Sequence, residues 1–184
     1  MNESKTFSSR NPGDNKINGN YLAEFVYGAT DGTITTFAIM AGAVGASLDS
    51  GVILVLGFAN LLADGFSMAV SNYLSTKSQR DLDKDSENPK KPLKTAFATF
   101  FSFVLIGFIP LLSFTFAFLN SFLEENKFKV SVILTSLAFV IIGLVKGVAT
   151  GKNKTFSSFE TLLVGGIAAT IAFVVGYLLR GLVS

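Results

Sequence analysis

Residues 52–76 read VILVLGFANLLADGFSMAVSNYLST. About 20 apolar residues cross a bilayer as an α-helix, so this run has spanning length. It is not uniformly apolar. Asn60, Asp64, Met68 and Asn72 recur at every fourth position, and Ser67, Ser71 and Ser75 form an adjacent row. At 3.6 residues per turn, a four-residue step drifts slowly round the helix. The outcome is one polar stripe on a helix otherwise filled with Leu, Val, Phe and Ala. Lipid cannot satisfy such a stripe. It is therefore expected to face protein or a water-filled path.

On either side of this run the chain repeats the same theme. Of 184 residues, 49% are hydrophobic and 15% charged, a composition of the membrane class. Five stretches reach spanning length, at about 22–47, 52–76, 94–119, 130–150 and 158–181. The connections are short: Asp49 to Gly51, a charged stretch near 80–92, Glu124 to Lys129, and Gly151 to Thr155. The expectation is an all-α integral membrane protein with five transmembrane helices over residues 21–184. Long unbroken apolar runs argue against a β-barrel, whose strands alternate. Pro110, inside the third span, removes a backbone donor and is expected to kink that helix.

Residues 1–20 are rich in Asn, Ser, Lys and Gly, and read as a disordered tail. With five spans, the tail, the second-to-third connection and the fourth-to-fifth connection share one side. Twelve of the 15 Lys and Arg fall there, which places the N-terminus in the cytoplasm. A plasma membrane is expected if the source is prokaryotic, and a vacuolar or other organelle membrane if it is eukaryotic. The net charge of +2 is too small to point to nucleic acid.

The chain has no His and no Cys. Metal or proton chemistry must therefore rest on carboxylates, Met sulfur, hydroxyls, amides and carbonyls. No nucleophile–base pair or cofactor motif is present, so an enzyme is not expected. Ionisable groups inside a span are expensive, and each is a functional candidate. Glu24 and Asp31 are seven residues apart and share one face of the first helix, which Thr35 extends by a turn. Asp31 and Asp64 can then offer oxygens to one cation, and Met68 a polarisable sulfur. Magnesium and calcium sites are normally all oxygen. A thioether beside carboxylates shifts the expectation to a transition metal such as ferrous iron or manganese. Asp31, Asp64 and Met68 are the candidate metal ligands. Glu24, Thr35, Asn60, Ser71 and Asn72 are further candidates along the path. The alternative reading is a packed polar core that merely joins helices.

The run Tyr27-Gly28-Ala29-Thr30-Asp31-Gly32-Thr33-Ile34-Thr35-Thr36-Phe37 is followed by Ala41-Gly42-Ala43-Val44-Gly45-Ala46. The second helix then gives Gly65-Phe66-Ser67-Met68-Ala69 and Asn72-Tyr73-Leu74-Ser75, ending near Lys77-Ser78-Gln79. Together these resemble the vacuolar iron transporter family, which includes manganese transporters and nodulin-like members. The family carries Asp-Gly-x-x-Thr in its first helix and Ser-Met in its second. The resemblance implies a homodimer with a metal path near helices 1 and 2, to which Asp31 and Met68 contribute. It implies ferrous iron or manganese as transported substrate, moved out of the cytosol in exchange for protons, with no tightly bound cofactor. Membrane lipid, divalent ions and protons would be the partners.

Two departures stand out. Family members often have Gly-Glu-Tyr after the Ser-Met motif, where this chain has Ser71-Asn72-Tyr73. A carboxylate is lost at 72, and Asp64 is placed to supply a replacement charge. Many members also carry a long metal-binding insertion between helices two and three. The link here, about Arg80 to Pro92, is too short for it. A membrane carrier of a non-metal solute and a structural membrane protein are the competing functions.

Overall fold

The computed structural model describes residues 21–83 and 89–182. The expected tail and part of the second-to-third link lie outside these. In chain order the elements are α1 (Leu22–Gly45), α2 (Ser50–Leu82) and α3 (Pro92–Gly107). A 3-10 turn (Ile109–Leu111), α4 (Leu112–Thr115) and a second 3-10 turn (Ala117–Leu119) follow. The chain then forms α5 (Ser121–Thr150), α6 (Lys154–Leu179) and a closing 3-10 turn (Arg180–Leu182). The described residues contain no strand. Counting α3 to the second 3-10 turn as one broken unit gives five membrane-length helical segments.

Four segments are long and apolar enough to cross a membrane: α2, Pro92–Leu119, α5 and Lys154–Leu182. The protein is a multi-pass membrane protein. α1 has the length but falls short of that apolarity, and its place in the bundle explains why it need not reach it. It packs against α2, α3, α5 and α6, most extensively against α3 and α6. Beyond its first turns, where Phe25 and Tyr27 are exposed, neighbouring helices and not lipid surround it. Three of its four threonines satisfy themselves on their own helix. Thr30 donates to the Val26 carbonyl at 2.7 Å, Thr33 to Ala29 at 2.7 Å and Thr35 to Asp31 at 2.8 Å.

Small residues set how closely α1 is gripped. A Cβ added at Gly107 of α3 would sit 2.8 Å from the Gly32 backbone, so the two backbones nearly touch. On the other side of α1, a Cβ at Gly176 of α6 would collide with the Gly42 carbonyl. Close backbone approach of this kind is how membrane helices gain packing when lipid is as apolar as their side chains. The apolar core beside these contacts holds Phe37, Met40, Leu61, Phe103, Leu111 and Phe139.

The helix ends refine the sequence reading. α2 continues to Leu82, past the apolar run, because a helix leaving the hydrocarbon can carry charge freely. At about 1.5 Å per residue it is about 50 Å long, well beyond a hydrocarbon core of about 30 Å. α5 starts at Ser121, so Glu124 to Lys129 are helical and not a connection. The Asn120 side chain caps it by accepting from the Phe122 N–H at 2.9 Å, and Glu124 in the first turn suits the helix dipole. Gly151 ends α5 at φ 67°. Asn153 then caps α6 by accepting from the Thr155 N–H at 3.0 Å.

The expected kink at Pro110 is a full break. The 3-10 turn at Ile109–Leu111 interrupts the α-helix. The Pro110 carbonyl accepts from the Ser131 hydroxyl of α5 at 2.6 Å, and Ser113 donates to the Lys127 carbonyl at 2.7 Å. Non-helical backbone at membrane depth survives because α5 supplies its partners.

Candidate functional site

α1 and α2 run antiparallel, joined by a tight link in which Ser47 takes a positive φ of 59°. Asp31 lies nine residues into α1, about 14 Å along its axis. Asp64 lies 14 residues into α2, about 21 Å from the opposite end. Across a core of about 30 Å, the two carboxylates come to similar depth. They lie within electrostatic reach of one another. Asp31 is partly buried within the bundle, and Asp64 is exposed on the flank of α2.

The structure divides the polar stripe of α2. Asn60 turns inward, its amide 3.5 Å from the hydroxyls of Thr35 and Thr36 on α1. Asn72 turns to α3 and donates to Thr99 at 2.6 Å. One turn further, Thr76 and Thr95 pair at 3.1 Å. Met68 is half-buried and packs against the apolar core. Asp64, Ser67 and Ser71 remain exposed on one flank. Asn60 and Asn72 thus hold α2 in place, while Asp64 and Ser71 sit on a surface that the single chain leaves open.

Glu24 stands apart, seven residues or about 10 Å along α1 from Asp31. Its carboxylate pairs with Lys90, just before α3, at 2.6 Å. Its second oxygen is buried with no partner among the described residues. Lys146 and Glu160 pair at 2.9 Å and join α5 to α6. Met40 was not a sequence candidate, yet it is fully buried with its sulfur 3.5 Å from the Ser131 hydroxyl, whose proton goes to Pro110. Its position in an apolar run gave no sign of a polar contact. Lys90 was likewise invisible as the partner of Glu24, because the two are 66 residues apart.

Among the described residues, no three Asp, Glu, His or Cys side chains gather into one metal-sized group. One chain therefore offers Asp31, Asp64 and Met68, with hydroxyl, amide and carbonyl oxygens nearby.

A sequence model of the VIT family matches residues 22–88 and 82–177, a span that includes every candidate position. The chain is similar to vacuolar iron transporter homolog 4 of Arabidopsis thaliana, with 30% identity over 167 residues, 83% of this chain and 81% of that protein. It is 26% identical over 215 residues to the vacuolar iron transporter of Centaurea cyanus, covering 84% of this chain and 86% of that one. The vacuolar iron transporter of Toxoplasma gondii is 26% identical over 238 residues, 91% of this chain and 79% of its own length.

Proposed function

The chain belongs to the VIT family, and on that premise we propose that it transports a divalent transition metal, ferrous iron or manganese, across the membrane. The observation that carries the reading is that α1 and α2, packed antiparallel, bring Asp31 and Asp64 to similar depth in a membrane bundle. Two carboxylates with no described cation beside them favour a divalent guest. Met68, one turn along α2, adds a soft ligand that favours a transition metal over magnesium. Asn60 and Thr35 brace the two helices beside this pair.

The exposed flank of α2 supports a homodimer. Asp64 cannot lie against lipid at this depth without a large penalty, and Ser67 and Ser71 share its flank. A second copy seated on the flank would shield them and double the carboxylates available to the ion. Substrate would then pass between two copies of α1 and α2, with Glu24 at one end of the route. The same carboxylates can exchange protons for metal, which couples outward metal movement from the cytosol to proton return.

Uptake of ferrous or manganous ion into liposomes holding the purified protein tests this. Flux should rise when a proton gradient opposes metal movement, and Asp31→Ala and Met68→Ala should each abolish most of it. Full activity in both variants sinks the proposal.

The hydrogen bonds of Asn60 and Asn72 favour a second reading, a structural membrane protein with a packed polar core. For that reading, the Asp64→Asn/Met68→Leu variant should fold and assemble normally, with no metal flux in either form.

A further inference from the structure

The flank of α2 opposite the polar one carries a different feature. By helical periodicity Phe66 lies about 200° round the axis from Asp64. A groove of about 320 Å³ opens there between α2 and α3, lined by Phe66, Val70, Ala96, Phe97 and Phe100. Tyr73 and Leu93 close one end of it. The same two residues also line the adjoining cavity, of about 600 Å³, which holds Lys77, Arg80, Lys91 and Lys94 with a single acid, Asp81. None of these four cations forms an ion pair with a described carboxylate. An apolar slot thus runs into a basic one.

Depth matches that division. Tyr73 lies about 35 Å along α2 from Ser50, at the far edge of the hydrocarbon, where Tyr is favoured. Lys77 and Arg80 lie about 6 and 10 Å beyond, at the level of lipid headgroups. A free anion would use the basic cavity and leave the groove idle. A zwitterionic lipid would fill the groove and bring the lysines no net charge. We infer that this composite site holds an anionic phospholipid, with an acyl chain in the α2–α3 groove and its phosphate among Lys77, Arg80 and Lys94. Because it lies across α2 from Asp64, a second copy on the polar flank would leave it open to the membrane.

Native mass spectrometry of the purified full chain, titrated with dioleoyl phosphatidylglycerol or dioleoyl phosphatidylcholine, reads occupancy directly. The phosphatidylglycerol adduct should be retained about tenfold more tightly. That preference should vanish in the K77Q/R80Q/K94Q variant and persist in K77R/K94R. Ala96→Trp, which fills the groove and leaves every charge in place, should lower retention of phosphatidylglycerol by a similar factor. Millimolar inorganic phosphate should not displace the lipid. Equal retention of the two lipids by the unmutated protein overturns the proposal even if a variant fails to fold. So does undiminished retention in the glutamine or tryptophan variant. Displacement by inorganic phosphate overturns it in favour of a simple anion site.

Discussion

α1 and α6 lie side by side and have opposite characters. α6 belongs to one of the segments apolar enough to be read as a span by composition. It is also largely exposed, with Ile167 at 52%, Ile171 at 60% and Leu178 at 73%. α1 falls short of that apolarity, yet Thr33 and Thr36 are wholly buried at its centre. In water the polar helix would be outermost. In a bilayer the outer solvent is hydrocarbon, so a helix's apolarity reports its contact with lipid, and its polarity reports its contact with protein. The carboxylates of the proposed path sit on α1 and on a polar flank of α2 that the single chain leaves uncovered.

The largest test of this contrast is steric. Gly32→Leu should prevent α1 from docking on α3 and destabilise the fold by about 3 kcal/mol or more. Ile167→Leu on exposed α6 should change stability by no more than about 0.5 kcal/mol. Thermal unfolding of the two variants in nanodiscs compares them. Equal losses would mean that α1 is not the hub.

Asp31→Ala separates function from folding. Removal of a proposed direct ligand should cut metal flux by more than the roughly tenfold that loss of an outer partner costs, with the unfolding midpoint little changed. Flux in liposomes, scored with circular dichroism, checks both. Asn72→Leu should do the reverse. It breaks the bond to Thr99 and should destabilise the bundle by about 0.6 to 1.7 kcal/mol, with any fall in flux following the loss of folded protein. The smallest effect is expected at Lys146→Gln. Its partner Glu160 is half exposed, so the pair should make only a marginal contribution to stability. High salt should erase the difference from the unmutated protein.

The five segments were legible because length and apolarity are properties of single stretches. The spacing of Asn60, Asp64, Met68 and Asn72 was equally legible as a stripe. Which neighbour each member meets was not, since periodicity gives an angle on one helix and is silent about what stands opposite. Asn72 therefore donates to Thr99 on α3, a partner that the stripe did not announce. The stretch Glu124 to Lys129 resembled a loop because its charges mask a helix start. The signal that would have revealed it is Asn120, a capping residue, just before the first turn. The break at Pro110 was foreseen in place but not in extent, because the hydroxyls of Ser113 and Ser131 that make it tolerable lie on two different elements.

The two glycine contacts on α1 also bear on how the protein is made. α1 leaves the ribosome before either surface that grips it. At about 5–20 residues per second, the interval from the end of α1 to the end of α6 is on the order of ten seconds. Until α3 and then α6 follow, Asp31 and Glu24 lack the neighbours of the finished bundle. The newborn helix must wait at the insertion machinery or at the membrane edge until its neighbours arrive. The order of synthesis therefore runs opposite to the order of burial. A substitution at Gly107 or Gly176 would act first as a fault in membrane insertion, before any finished protein existed to be weakened.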